Sequence, residues 1–396
     1  MSIVRSRRLA ARVGLVGSIL VALAILGCRS GEVASAPHAI QVASSLGPLK
    51  LETVAEGLAT PWAMAFLPDG RFLVTERPGR MRIISAAGEL SEPIAGLPAV
   101  RAHGQGGLLD VALAPDFATS GMIYFSYAEP VDRQSRTAVM RARLDIDGLR
   151  LESAERIFAQ HPAHRGNNHW GSRLVFAPDG QLFVTLGDRY DLRDQAGDLS
   201  SHIGKIVRLR PDGGIPGDNP FVTRSGALPE IWSYGHRNVQ GAAIHPDTGA
   251  LWISEHGPRG GDEINRILPA RDYGWPRITY GREYASGAKI GQGTSAADVE
   301  PPLWQWTPSI APSGMAFVTG AGWGSWRGDL LVGALAGERL VRLTGDENGL
   351  REAERLLGEI GVRIRDVRQG PDGAIYLLDP SRGRLLRLLP PAAARG

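Results

Sequence analysis

The residues best suited to chemistry fall in five short, glycine-rich polar phrases. Asn167-Asn168-His169-Trp170-Gly171-Ser172-Arg173-Leu174 sets a histidine just before a strand-like run. A neutral imidazole can take a proton from a hydroxyl near physiological pH. A lone histidine is more often a hydrogen-bonded structural residue, so His169 gains chemical meaning only in company. His161 and His164 lie nearby, but no cysteine or acid stands at zinc-ligand spacing. His103-Gly104-Gln105-Gly106-Gly107 permits close backbone approach and offers Gln105 as both donor and acceptor. In Tyr234-Gly235-His236-Arg237-Asn238-Val239-Gln240-Gly241, Arg237 beside Asn238 presents planar donors suited to carboxylates or quinone oxygens. The run from Ser254 to Asn265 sets carboxylates among glycines and carbonyls, a pattern that suits Ca²⁺ without matching an EF-hand loop. Gly361-Val362-Arg363-Ile364-Arg365-Asp366 carries arginines at i and i+2. On a strand they would share a face and could meet one polyanionic ligand.

The elements that must position these phrases are visible as a repeat. An apolar pair, then Pro-Asp with or without Gly, then an apolar strand, recurs along the chain. Phe66-Leu67-Pro68-Asp69-Gly70, Leu113-Ala114-Pro115-Asp116, Phe176-Ala177-Pro178-Asp179-Gly180, Ile244-His245-Pro246-Asp247 and Gly370-Pro371-Asp372-Gly373 are five copies. A degenerate sixth begins at Met315-Ala316-Phe317. Pro fixes φ, Asp caps the turn and Gly supplies positive φ, so each copy reverses the chain between two strands. The first prolines are 47, 63 and 68 residues apart, periods that fit four-stranded blades with inserted loops. The reading is an all-β, six-bladed β-propeller of four-stranded antiparallel blades over residues 51–392. Sandwiches lack such a repeat, and β-helix periods are far shorter. Propellers carry function on loops at one end of the channel, and the polar phrases fall between the repeats.

Composition agrees. Gly 51 and Pro 27 suit many turns, and 43% hydrophobic residues can fill a core. The formal charge of +3 owes four arginines to the first 27 residues and is −1 without them, so nothing suggests a nucleic-acid partner. Those residues read as a signal peptide: a basic start, then an apolar stretch from Val13 to Gly27 too short for a membrane span. They end at Cys28, the single cysteine, in a context like a bacterial lipobox. The expectation is an exported, periplasmic lipoprotein attached to the membrane through lipidated Cys28, with residues 28–50 as a tether. Cleavage near Ala34 or Ala36 is the alternative.

Together the phrases resemble the soluble pyrroloquinoline-quinone (PQQ)-dependent sugar dehydrogenases, the glucose/sorbosone or aldose sugar dehydrogenase family. The resemblance covers about residues 52–390, with five separated motifs in family order. It implies an oxidoreductase that converts the anomeric hydroxyl of an aldose to the lactone, with His169 as general base. It places Gln105 and Asp188 near substrate and base, and Arg237, Asn238, Ser309, Arg363 and Arg365 around PQQ. It assigns the backbone oxygens of Gly257 and Pro258 to the Ca²⁺ that contacts the quinone, and Glu263 and Tyr273 to a second, structural Ca²⁺. The chain departs from the family in three places. Ala336 stands where the family often has a lysine, with Arg339 as a candidate substitute. Asn168 stands where some members have an acid, and His256 where some have glutamine. The sugar, the electron acceptor, and the choice between monomer and homodimer are not encoded in these motifs. Substrate choice is expected to rest on loops such as 126–137 and 281–300. A Ca²⁺-dependent propeller hydrolase of lactonase type and a non-enzymatic binding propeller are the competing readings.

Overall fold

Each Pro-Asp phrase lies at the same point of a repeating sheet, between its first and second strands. The glycines of the three full Pro-Asp-Gly turns have φ of 85° (Gly70), 80° (Gly180) and 79° (Gly373), which a side chain would disfavour. In each, the Asp carboxylate accepts the backbone N–H two residues on, at 3.0–3.1 Å (Asp69, Asp179, Asp372). These Asx turns fix the hairpin locally.

The structure, a computed structural model, describes residues 39–391. The export segment, Cys28 and the start of the expected tether lie outside the described residues. Among the described residues no helix is long and apolar enough to cross a membrane.

Six antiparallel sheets form the propeller. Blade 1 comprises Pro61–Phe66, Phe72–Glu76 and Arg80–Ile84. Blade 2 comprises Leu108–Leu113, Met122–Val131, Gln134–Asp145 and Arg150–Ala159. Blade 3 comprises Gly171–Phe176, Leu182–Leu186, Lys205–Leu209 and Ile231–Tyr234. Blade 4 comprises Val239–Ile244, Leu251–Glu255, Asp262–Ile267 and Trp304–Trp306. Blade 5 comprises Pro312–Phe317, Leu330–Ala334, Leu340–Asp346 and Gly349–Leu356. Blade 6 comprises Asp366–Gln369, Ile375–Asp379 and Arg384–Leu389, and gains Leu49–Ala55 and Ala39–Val42 from the start of the described chain. This corrects the tether reading at its end, because Ala39–Val42 pairs with Leu49–Ala55 as an edge strand.

Packing follows from the layering. The first strands of successive blades contact one another in a closed ring. In five blades the second strand is buried along its whole length (FLVTE, LFVTL, LWISE, LLVGA, IYLLD). Such strands are covered on both faces and therefore run nearly continuously apolar. The first strands of blades 1–5 each carry a register irregularity near their start. Backbone groups freed by bulging need partners. Hydroxyls on the preceding blade supply them: Thr75 donates to Leu109 O at 2.6 Å, Ser126 to Ser172 O at 2.7 Å and Ser254 to Ser313 O at 2.8 Å. The starts of the inner strands, where the polar phrases sit, are thus clamped from blade to blade.

Candidate active site

His169 occupies the turn before the first strand of blade 3, at φ 50°. A left-handed non-glycine residue is costly and persists only when its surroundings hold it. Three contacts do so. Its N–H donates to Gln105 Oε1 at 2.8 Å, and its Nδ1 lies 2.6 Å from Asp188 Oδ1. The third is Gly187, on which a Cβ would collide with the His169 carbonyl. Asp188 in turn accepts Trp275 Nε1–H at 2.7 Å and Tyr190 N–H at 2.8 Å. An ionised carboxylate only accepts, so Nδ1 carries the proton and Nε2 keeps its lone pair. Burial pushes the imidazole below its ordinary value despite the opposing pull of Asp188. His169 is therefore a neutral, oriented base at pH 7.

Beside it lies a central cavity of about 450 Å³ at the top of the channel, lined among others by Gln105, Asn238, Gln240, His256, Arg363 and Arg365. Arg77 also lines it, and among the described residues no carboxylate does. Arg363 and Arg365 precede the first strand of blade 6 rather than lying within it. They nevertheless share a face, because Val362 and Ile364, which alternate with them, are fully buried. Arg365 Nη1 donates to Gln240 Oε1 at 2.7 Å, Gln240 Nε2 to Asn238 Oδ1 at 3.2 Å, and Gly171 N to that same Asn238 oxygen at 3.3 Å. Burial, then the Arg173 and Arg363 cations, lower Arg365 to about 9. His256 is held down to about 3, by burial first and then by Arg237 and Arg365. It donates Nε2–H to Pro312 O at 2.7 Å. The chamber is rigid and cationic, which suits a planar polyanion.

Its floor is an ion network. Arg173 Nη1 lies 3.3 Å from Asp110 and 2.9 Å from Asp366, the latter contact being an ion pair without hydrogen-bond alignment. Arg368 reaches the same carboxylates at 3.0 and 3.1 Å. Arg173 also donates to Gln240 O at 2.7 Å and Arg365 O at 3.1 Å. The floor therefore fixes two residues of the chamber wall.

The remaining expected site residues divide. Asp188, His169 and Arg237 line a neighbouring cavity of about 240 Å³ instead of the central one. Arg237 donates to His256 O at 2.9 Å, and its buried Nε has no partner. Ser309 does not line the central cavity; its hydroxyl donates to Asp262 at 2.7 Å. Ala336 does line it, whereas Arg339 turns to the Gly337 carbonyl at 2.8 Å and does not line it. Pro258 borders the cavity beside the base, and its carbonyl accepts Arg282 N–H at 2.8 Å. Gly257, Glu255, Glu263 and Tyr273 surround a small adjoining gap. The Tyr273 hydroxyl is committed to Arg266 O at 2.6 Å.

Glu255 faces His236 Nδ1 at 3.2 Å and accepts Arg237 N–H at 2.8 Å, but Glu263 beside it is under-compensated. Asn265 Nδ2 bridges the two at 3.1 Å each, its Oδ1 is buried without a partner, and burial together with Glu255 raises Glu263 to about 8. A hard cation with oxygen ligands fits such a place. Among the described residues no group of three or more His, Cys, Asp or Glu gathers at metal-binding geometry, so carbonyls and amides would complete the shell.

Arg77, Trp275 and the Asp110–Arg173–Asp366–Arg368 floor were not picked out as site residues from the sequence. Their partners lie far along the chain, 87 residues away for Trp275 and Asp188. The local signals were Arg173 and Asp366 inside their polar phrases and Asp110 shortly after the Gln105 phrase.

Comparison with known proteins agrees with this geometry. The family model for glucose/sorbosone dehydrogenase matches residues 58–387. The aldose sugar dehydrogenase YliI of Escherichia coli (strain K12) is 45% identical over 368 residues, covering 92% of this chain and 96% of that protein. The apo crystal structure of the soluble aldose sugar dehydrogenase from Escherichia coli has a TM-score of 0.84 at 46% identity, covering 86% of this chain and 99% of that one. The PQQ-bound aldose sugar dehydrogenase of Streptomyces coelicolor has a TM-score of 0.72 at 32% identity, covering 89% and 99%. A family match across nearly the whole propeller, with relatives this similar along its length, means that the chain belongs to the glucose/sorbosone dehydrogenase family.

Proposed function

We propose that the chain is a PQQ- and Ca²⁺-dependent aldose dehydrogenase that oxidises the anomeric hydroxyl to the lactone. The observation that carries this reading is the juxtaposition of a buried, carboxylate-oriented His169 with a chamber lined by arginines and no acid. A similar structure, that of the Streptomyces coelicolor enzyme, is a PQQ-bound form. When bound, PQQ supplies an electrophilic quinone carbon that accepts hydride.

The chain's own residues do the rest. Arg363, Arg365 and Asn238 would hold the carboxylates and carbonyls of the cofactor, and Arg77 would add positive charge in the same cavity. Arg237, in the cavity beside the base, would add positive charge near the reacting groups. His169 Nε2 takes the hydroxyl proton as the C–H bond breaks, and Asp188 stabilises the resulting imidazolium. Gln105 fixes the base through its backbone N–H. The carbonyls of Gly257 and Pro258 would hold the Ca²⁺ that polarises the cofactor, and Glu263 with Tyr273 and Asn265 would hold the structural Ca²⁺. Export to the periplasm and attachment through Cys28 complete the proposal. The electron acceptor lies outside it.

The test is reconstitution of the purified protein with PQQ and Ca²⁺, followed by dye reduction with a panel of aldoses and calorimetric titration of the quinone. Sugar-dependent reduction and Ca²⁺-dependent binding are expected. Absence of both across the panel would overturn the reading.

A further inference from the structure

We propose that Arg189 is a positioning residue for the base: its guanidinium clamps the segment that carries His169 and sets a fixed positive charge beside the His169–Asp188 pair. This rests on the dehydrogenase reading above. Arg189 is fully buried, yet among the described residues it makes no ion pair. The nearby carboxylates of Asp188 and Asp191 face His169 and His164 instead, at 2.6 and 3.0 Å. Burying a cation without a carboxylate of its own is costly, so the groups that it does engage must hold it.

Those groups surround the base. Arg189 Nε donates to Asn168 O at 3.2 Å, Nη1 to Ser135 O at 3.2 Å and Nη2 to Gly166 O. Its Cζ lies 3.5 Å from the centre of the Trp170 ring, a stacked cation–π contact. Gly166 and Asn168 precede His169 and Trp170 follows it, so one planar group holds the chain on both sides of the base. Ser135 lies in the blade 2 strand Gln134–Asp145, so the same group ties that segment to the neighbouring blade. The Arg189 backbone closes on the base as well, its N–H donating to His169 O at 3.3 Å. His169, Arg189 and Tyr190 all sit at positive φ, 50°, 56° and 67°. Such conformations persist only where surrounding contacts over-determine them.

The charge acts separately from the clamp. Burial first, and then the Arg237 and Arg189 cations, push the imidazole down against the pull of Asp188. Burial lowers Arg189 itself to about 9, with Arg101 acting in the same direction and Asp188 and Asp191 opposing, so it remains a cation at neutral pH. A lysine would keep that charge. Its single nitrogen could neither span carbonyls arranged around a plane nor stack on the indole.

The test compares wild type with Arg189→Met and Arg189→Lys. The His169 imidazole is titrated by NMR in cofactor-free protein, its signal identified by its loss in His169→Gln. Holoenzyme kcat and KM are measured with the aldose turned over fastest. Arg189→Met removes both clamp and charge. Its kcat should fall roughly ten- to hundredfold, the scale of a reacting group misplaced by about 1 Å, with little change in KM. Its imidazole should titrate at higher pH than in wild type. Arg189→Lys should lose kcat on the same scale while its imidazole titrates where the wild-type one does. Wild-type kcat in Arg189→Lys, or an unshifted imidazole in Arg189→Met, would overturn the proposal. Should Arg189→Met not fold, Arg189→Gln, which keeps a planar donor without charge, takes its place in the titration. If wild-type holoenzyme oxidises no sugar, the dehydrogenase reading fails instead, and the NMR titration still decides whether Arg189 acts on the imidazole.

Discussion

Replacing Arg173 with methionine should cost about 3–5 kcal/mol of stability at neutral pH, the usual penalty for leaving buried charge unpaired. The stem is kept, so its packing near Trp62 is largely preserved. The guanidinium, 4.3 Å from that ring, is lost. Asp110 and Asp366, 0% and 1% exposed, are left to share Arg368 alone. The Gln240 and Arg365 carbonyls also lose a donor. Urea denaturation followed by tryptophan fluorescence measures the loss. Its pH dependence follows from Asp110, whose carboxyl is already pushed up by burial. As pH falls it takes a proton, the unpaired charge disappears, and the penalty shrinks. In an Asp110→Asn background the same substitution should cost at least about 1 kcal/mol less, since neighbours in one network are not additive. A loss under about 1 kcal/mol, or an equal loss in both backgrounds, would refute the idea that the channel floor is a compensated charge cluster.

Three further outcomes are expected. His169→Gln should lower sugar-dependent turnover by about 100-fold or more while calorimetry still detects quinone binding; in wild type, kcat/KM should hold through neutrality and fall only as pH drops through the depressed imidazole value, below 6.5. Gly187→Ala should displace His169 by pushing on its carbonyl, lowering kcat with little change in quinone affinity. In chelator, the melting temperature should fall as pH rises from 4.5 toward 8: Glu263 holds a proton in the fold that it loses in the unfolded chain, and that stabilising difference vanishes above its raised value. Added Ca²⁺ should remove this slope, and Glu263→Gln should abolish the Ca²⁺ response; differential scanning fluorimetry checks both.

What was legible in the sequence was local. Pro68-Asp69-Gly70 and its counterparts specify turns through their own φ values and Asx hydrogen bonds, so the blades could be counted without knowing how they pack. Four of the five site phrases were legible because they occupy the equivalent place before an inner strand, and the fifth, Ser254–Asn265, joins the second and third strands of blade 4. Arg363 and Arg365 show the limit of that reading: their alternation held, but the segment lies outside the strand. Ser309 shows another, because its partner Asp262 is 47 residues away and no local pattern announces the pairing. Tyr190 was invisible for a related reason. Nothing in its neighbours signals a left-handed tyrosine until Asp188 is seen holding both it and His169.

The joining of Leu49–Ala55 to Arg384–Leu389 has a consequence for how the molecule is made. Arg387 meets Glu52 across 335 residues of chain. Blades 1 to 5 can zip from local hairpins as they emerge, but the sixth must wait for both ends. Until then Leu49–Ala55 is an unpaired strand edge, the kind of surface that templates mispairing with other chains. Ring closure is therefore the step of highest contact order and the natural candidate for the slowest. Because the two partner strands are neighbours in one sheet, a short linker between them with new ends opened in a connection between two blades would relieve that wait. Such a permuted chain should refold faster and aggregate less while keeping its native architecture.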